Sequence, residues 1–360
     1  MLNLAIALVL FFGSYQLHAE ELVGPLPSSL ELQSILDTYT YDVPYTLKSQ
    51  KRANAKRKRC WIWNLTYEVD YPNNPNGPLL VTSRVYTPNP KKMGGNKSPF
   101  VVLLPPVSGI NILDKNMGNE LCGMGISGLI ITNDFTGFDG KVLPPTEDHM
   151  HAFQRAVASV KGAKIFAEQY PHIDPQRMAL FGVSLGGILG TLTYSVTPHL
   201  RAAYVLVSGS DLPFIMAHSR QSLVKRVRKL RMKQENLQSV DEYEAYLRSF
   251  FDHDLNDVAH LAPTESMRMT ISRKDSDVPT VKQFELQQAL GVPETRYSNS
   301  GHSGTVINNM LWKSNRRKIA RFLQERLHMD NPRQPAPPVT PPQNNTDNEA
   351  QTPVETPPPA

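Results

Sequence analysis

Apolar positions along this 360-residue chain follow two rhythms. At Trp61–Val69 and Leu79–Tyr86 they sit among aromatic and β-branched residues, with turn-forming clusters at Pro72–Gly77 and Pro88–Lys97. That pattern predicts strands joined as hairpins. From Pro99–Leu104 onward, short apolar runs alternate with helical stretches. Gly128–Thr132, Met178–Phe181, Ala203–Ser208, Arg268–Ser272 and Glu294–Tyr297 read as strands, and Glu147–Tyr170 and Thr305–Leu327 as helices. Hairpins followed by this alternation predict an α/β fold, with a mostly parallel, helix-covered sheet and an antiparallel edge.

One interval, at about 214–262, interrupts the rhythm and is too long for a single crossover. Leu223, Val227 and Leu230 fall on one helical face, with Arg220, Lys225, Arg226, Arg228, Lys229, Arg231 and Lys233 around the rest. A second helix is expected from Val240 to Phe251, led by Asp241, Glu242 and Glu244. The spacing predicts a helical cap over the C-terminal strand ends, where open α/β sheets bind ligands. Its apolar stripe should face inward and its cations outward.

The two ends of the chain differ from the body. Leu4–Phe12 is an apolar run of signal-peptide length, followed by Leu17-His-Ala19 and then Glu20-Glu21. This predicts export to a periplasm or beyond the cell, with cleavage after Ala19; the alternative is an uncleaved anchor. No Cys lies at that boundary for a lipoprotein linkage. Residues 331–360 are Pro-rich and predict an extended, disordered tail. Between these ends, 20–60 reads as an extension and 61–330 as the folded domain. Cys60 and Cys122 could pair after export, closing a loop of about 60 residues, or remain buried thiols.

The net charge of +5 is concentrated at Lys51–Arg59 and Arg220–Lys233. A basic amphipathic helix at 220–233 offers weak contact with an anionic surface; the plain alternative is a solvated cap helix. No nucleic-acid motif is present, and export argues against such a partner. No spacing specifies an oligomeric state.

The densest chemical signal is Met178–Phe181 running into Gly182-Val-Ser184-Leu-Gly186-Gly187 and then a helix. A Gly-x-Ser-x-Gly turn between strand and helix is the nucleophile elbow, with glycines where a β-carbon would strike backbone. Ser184 would stand at a helix N-terminus, where N–H groups stabilise a developing anion. A serine nucleophile needs a base, and the base needs an orienting acid. In the expected order Ser, acid, His, two late histidines remain. His302 sits in the glycine-bearing stretch Ser298–Gly304 after the last strand, whereas His328 ends the closing helix and is better placed to cap carbonyls. For the acid, Asp275 and Asp277 follow one strand and Asp211 follows the strand before it.

The elbow at Gly182–Gly187, Asp275-Ser-Asp-Val-Pro279 and Gly301-His302 together resemble the α/β-hydrolase superfamily over about residues 60–328. Ile173-Asp-Pro-Gln-Arg-Met-Ala-Leu-Phe-Gly-Val-Ser184 is similar to its dienelactone-hydrolase-like and prolyl-oligopeptidase-like branch. In that branch the acid precedes a Val-Pro pair by three residues, which implies Asp275 over Asp277. The resemblance further implies an oxyanion hole from the Leu185 N–H and an N–H of Leu104-Pro-Pro-Val-Ser-Gly109. Proline has no N–H to offer, so Val107 is the first donor there and Ser108 the second. The implied activity is a cofactor-free, metal-free serine hydrolase acting on a small carboxylic ester. A thioesterase or peptidase on the same fold is the alternative, although the residues before Trp61 are too few for a propeller. A non-catalytic hydrolase-like protein that binds anionic surfaces through its basic cap is the other.

Overall fold

A computed structural model of the protein describes residues 26–53, 59–132, 143, 145–149 and 151–328. The export-signal and Pro-rich-tail readings lie outside these residues. The 20–60 extension supplies a helix, α1 (Ser29–Asp37), and the first strand, β1 (Tyr45–Arg52). Ser28 and Glu31 start α1 with a reciprocal capping box: the Ser28 N–H donates to Glu31 (2.8 Å) and the Glu31 N–H to the Ser28 hydroxyl (3.3 Å). Antiparallel pairing joins β1 to β2 (Cys60–Val69) and β2 to β3 (Leu79–Pro88).

The alternating part of the chain begins with β4 (Ser98–Leu104), α2 (Ile112–Gly123), β5 (Ser127–Ile131) and α3 (His151–Gln169). The elbow strand β6 (Ile173–Val183), α4 (Leu185–Val196) and β7 (Leu200–Leu206) follow. Four helices come next, α5 (Leu212–His218), α6 (Ser222–Gln234), α7 (Val240–Arg248) and α8 (Leu255–Ala259). The chain then forms β8 (Met267–Ser272), α9 (Thr280–Ala289) and β9 (Glu294–Ser298), and closes with α10 (His302–Met310) and α11 (Lys313–His328). The nine strands make one sheet in the order β1-β2-β3-β5-β4-β6-β7-β8-β9. From β5 to β9 every pairing is parallel. The strand after the hairpins does not extend them: β3 pairs with β5, and β4 lies one position further in.

Period-two alternation in the central strands accounts for that placement. Phe100, Val102 and Leu104 of β4 join one apolar cluster, while Val101 and Leu103 join another on the opposite face. In β6, Met178 and Leu180 point to the first, and Ala179, Phe181 and Val183 to the second. A strand apolar on both faces needs helices on both sides, so it is driven to the middle of a parallel sheet. Here α3, α4 and the cap helices cover the first face, and α2 and α11 the second.

Two helix expectations change. The helix expected from Glu147 starts as a 3₁₀ turn, Thr146–His149, before α3. The closing helix is broken into α10 and α11 at Leu311-Trp312, and His302, expected in a loop, is the first residue of α10 with Gly301 as its N-cap.

Cys60 at the start of β2 and Cys122 near the end of α2 form a disulfide, their Cα atoms 6.1 Å apart. It ties the hairpin edge to the helix covering the second face. With a sequence separation of 62 between the cysteines, the chain-entropy model gives about 4 kcal/mol of stabilisation. Cys60→Ser with Cys122→Ser is therefore expected to lower the unfolding free energy by up to about that amount, measured as the shift in urea midpoint against the oxidised wild type.

Candidate active site

The C-terminal ends of the parallel strands carry the candidate residues. Ser184 follows β6 and is the N-cap of α4, at φ 55° and ψ −122°. A non-glycine residue there is strained and persists only where its surroundings fix it. Its N–H donates to the Leu206 carbonyl (2.9 Å), and its own carbonyl accepts from Gly187 (2.8 Å) and Ile188 (3.0 Å). Its side chain makes no cap hydrogen bond, so the hydroxyl is not consumed by the helix. A β-carbon at Gly182 would collide with the Gly186 carbonyl, and one at Gly186 with the carbonyls of Leu104 and Pro105. The two glycines therefore let the elbow press against the end of β4.

That contact positions the segment after β4. Gly109, at φ 73°, donates its N–H to the Pro106 carbonyl (2.8 Å), closing a turn over 106–109. Val107 is half-buried and shares a pocket with Ser184 and Leu185, whereas Ser108 is exposed. Leu185 lies in the first turn of α4, where backbone N–H groups have no intrahelical acceptor.

The acid and the histidine meet directly. His302 Nδ1 lies 2.8 Å from Asp275 Oδ2, and the aspartate side chain is fully buried. The other oxygen, Oδ1, accepts the N–H groups of Asp277 (2.9 Å) and Val278 (3.0 Å). Gln283, buried in α9, donates to Oδ2 (2.9 Å) and to the Val278 carbonyl (2.8 Å), while its own oxygen accepts the Ser272 N–H (3.0 Å). The carboxylate thus has four donors around it in a site closed to water. Asp277 lines the Ser184 pocket instead. Burial pushes its carboxyl up from the ordinary aspartate value; the His302 imidazole opposes this, and Asp275 adds to it.

The pocket holding Ser184 measures about 40 Å³ and is nearly all apolar: Ile188, Leu212, Ile215, Met216, Val224 and Val278 make most of its wall. A larger cleft of about 790 Å³ opens between α1, the start of α3 and the segment around His253. It shares no residue with the Ser184 pocket.

In structure the chain is similar to two acetyl xylan esterases. One, from Paenibacillus sp. R4, superposes with a TM-score of 0.61 at 14% identity, covering 85% of this chain and 98% of that one. The other, from Thermoanaerobacterium sp. JW/SL YS485, gives 0.57 at 14% identity, with 85% and 95% covered. A glucuronoyl esterase from Teredinibacter turnerae T7901 gives 0.53 at 12% identity, with 87% and 83% covered. No protein-family model and no curated protein matches the chain by sequence. The chain has the α/β-hydrolase fold.

Within this α/β-hydrolase fold the interval 214–262 holds the end of α5 and all of α6, α7 and α8, and α5 and α6 wall the Ser184 pocket. The Arg220 N–H donates to the Ser276 carbonyl (2.8 Å), tying this cap to the turn that carries Asp275. The expected inward stripe of α6 is shifted by one position. Val227 is buried and Leu223 packs on the core, but Leu230 is exposed and Arg231 is buried in its place. Val224 rather than Leu230 reaches the pocket. A turn of 100° per residue puts 224, 227 and 231 on one face as readily as 223, 227 and 230. Arg228 is also drawn inward, donating to the Ser219 carbonyl (3.2 Å) and to that of Ala217. Lys225, Arg226, Lys229 and Lys233 remain outward.

Asp211 is not grouped with His302. It N-caps α5, accepting from the Phe214 N–H (3.2 Å), and forms ion pairs with Arg248 (2.8 Å) and Lys282 (3.0 Å). Burial works against its charge, but these cations outweigh it and hold its pKa below the ordinary value. His328 lies at the end of α11, where its ring meets Arg177 (3.4 Å). Gln283 has no sequence signal of its own, being one of three glutamines in α9. Gln283→Leu would leave the Ser272 N–H, the Val278 carbonyl and part of the Asp275 carboxylate without partners. It is expected to destabilise the protein by roughly 2–4 kcal/mol, checked by urea unfolding with an unchanged m-value.

Proposed function

We propose that this chain is a serine esterase that hydrolyses carboxylic esters with short acyl groups. Two observations support the reading: the buried Asp275–His302 hydrogen bond, and a serine held in a strained elbow at a helix N-terminus. In the proposed cycle the Ser184 hydroxyl attacks the acyl carbon as His302 Nε2 takes its proton. Asp275 accepts the Nδ1 proton's hydrogen bond, fixes the imidazole tautomer and stabilises the imidazolium. The Leu185 and Val107 N–H groups bind the developing oxyanion. His302 then protonates the leaving alcohol, and water, activated by the same imidazole, attacks the acyl-enzyme to release the acid and regenerate Ser184. Each step needs only these residues and water.

The pocket supports a short acyl chain. Its small volume, about 40 Å³, supports a short acyl group over a long one, and no Lys or Arg lines it. Similarity to esterases, among them two acetyl xylan esterases, supports ester over peptide or thioester as substrate. We further propose that the protein is exported and that residues 1–19 are removed. The Cys60–Cys122 disulfide supports this, because disulfides persist in oxidising compartments.

Against 4-nitrophenyl acetate, butyrate and octanoate, the wild type is expected to prefer acetate. Ser184→Ala is expected to abolish both turnover and labelling by a fluorophosphonate. Asp275→Asn should lose about 10³–10⁴-fold in kcat by leaving the imidazole in the wrong tautomer, whereas Asp211→Asn should leave kcat within a few-fold. Val224→Ala should raise kcat/KM for butyrate relative to acetate by widening the pocket. Persistent labelling of Ser184→Ala, or a larger loss at Asp211 than at Asp275, would overturn the assignment.

A further inference from the structure

The corner between α10 and α11 carries a patch that the esterase reading does not use. Trp312 is 60% exposed, Leu311 48% and Ile307 43%; Ile307 and Leu311 stand one turn apart, with Trp312 beside them. A large aromatic and two large aliphatic side chains grouped in water are unusual unless something covers them. The chain from Asn299 to Gln324 contains no Asp or Glu, yet it holds Lys313, Arg316, Arg317, Lys318 and Arg321. On α11 the residues Ile319, Ala320, Phe322 and Leu323 are buried, so Lys313, Arg317, Lys318 and Arg321 lie on the exposed side, with Glu325 one turn beyond Arg321. Glu120 of α2 also meets this side: it bonds Arg317 (2.9 Å) and lies 3.8 Å from Arg316. The cationic side therefore starts at the residue where the apolar patch ends.

We propose that the α10–α11 corner docks the protein on an anionic lipid surface. Trp312, Leu311 and Ile307 would enter the boundary between headgroups and acyl chains, and Lys313, Lys318 and Arg321 would lie against the headgroups. Each half of the patch argues against another occupant. A soluble acidic polymer would engage the cations and leave the apolar trio in water. A second copy joined about a twofold axis would set the cationic side of one molecule near that of the other. An interfacial anchor uses both halves at once. Among the described residues no helix is long and apolar enough to cross a membrane, so contact through this corner would be peripheral. α10, nine residues long, separates the corner from His302. Docking there would hold the proposed catalytic site close to the membrane surface without burying it.

The test is co-sedimentation of the purified chain with phosphatidylcholine vesicles, with and without an equal share of phosphatidylglycerol. Hydrolysis of a soluble short ester serves as the control for folding. Binding is expected only with phosphatidylglycerol, weakening as salt is raised. Trp312 emission should shift to the blue on binding, identified by comparison with Trp312→Phe. Lys318→Glu with Arg321→Glu should weaken binding more than about tenfold, and Leu311→Ser with Ile307→Ser should also release the protein, both with soluble-ester turnover unchanged. Several results would overturn the proposal. These are no binding, equal binding to neutral vesicles, or binding that survives both double variants. A dimer that Leu311→Ser dissociates, or retention on a soluble polyanion with no change in Trp312 emission, would do so by assigning the patch to those occupants.

Discussion

The close approach of three backbone segments behind Ser184 is the constraint on which the rest of the site depends. The end of β4, the turn after β6 and the first turn of α4 come within a distance that admits no β-carbon at Gly182 or Gly186. Holding Ser184 at positive φ costs on the order of 1–3 kcal/mol. That strain is sustained because its N–H is fixed to Leu206 on the neighbouring strand and its carbonyl to the start of α4. Relaxing the turn would break those hydrogen bonds and pull α4 off the sheet. The same approach sets the Val107 and Leu185 backbones beside one pocket, so the proposed oxyanion donors follow from packing rather than from a separate loop motif. An anion-binding arrangement built from backbone is rigid before substrate arrives, which is the condition for it to favour a transition state.

A second layer holds the acid. Asp275 is buried, and an unpartnered carboxylate there would be costly. Thr280 ties the turn down: its hydroxyl donates to the Ser272 carbonyl (2.8 Å) and accepts the Asp275 N–H (3.1 Å). Gln283 bridges the same strand end to the carboxylate. The proposed acid is therefore positioned by one turn and the first two turns of α9. Because Gln283 and His302 reach the same oxygen, a rotation of the carboxylate would break both hydrogen bonds together.

Local rules made some of this legible in the sequence, and long-range packing hid the rest. The elbow was readable because strand, glycines and helix must be contiguous for the turn to form. The elements brought together at the site follow their strands at the C-terminal edge, so chain order alone placed Val107, Ser184, Asp275 and His302 on the same side of the sheet. Choosing among Asp211, Asp275 and Asp277 needed more than order. In the structure Asp275 bonds His302 while Arg248 and Lys282, from the cap and from α9, pair with Asp211, and none of these contacts has a local signature. The α6 stripe was misplaced for a related reason. Arg231 can be buried because its long stem covers apolar surface while its guanidinium reaches Glu235 (3.4 Å), so polarity alone did not mark the outer face. The pairing of β3 with β5 was equally hidden, since a strand's neighbour is chosen by burial on both faces and not by sequence distance.

Charge has a different use under the cap. Asp211, Arg248 and Glu244 link α5 to α7, and Lys282 with Glu285 (2.8 Å) carries the chain of ion pairs into α9. His218 of α5 meets Glu244 as well (2.8 Å), and half-buried Asp254 accepts the N–H groups of Asp211 and of Leu212 (3.3 Å). Such a network adds little net stability, because desolvation of each charge offsets most of the attraction. Loss of the Asp211 charge would leave Lys282 paired with Glu285 and the half-exposed Arg248 with Glu244. The network therefore acts less as glue than as a register: α5 can slide along α7 only by breaking its pairs with Arg248 and Glu244 together, while the Asp211–Lys282 pair ties its start to α9. Leu212, Ile215 and Met216 on α5 face Val278, at the entry to α9, across the pocket that holds Ser184. Holding α5 in register holds one wall of that pocket against the other, so charged residues that do not line the proposed acyl site help to position its apolar wall.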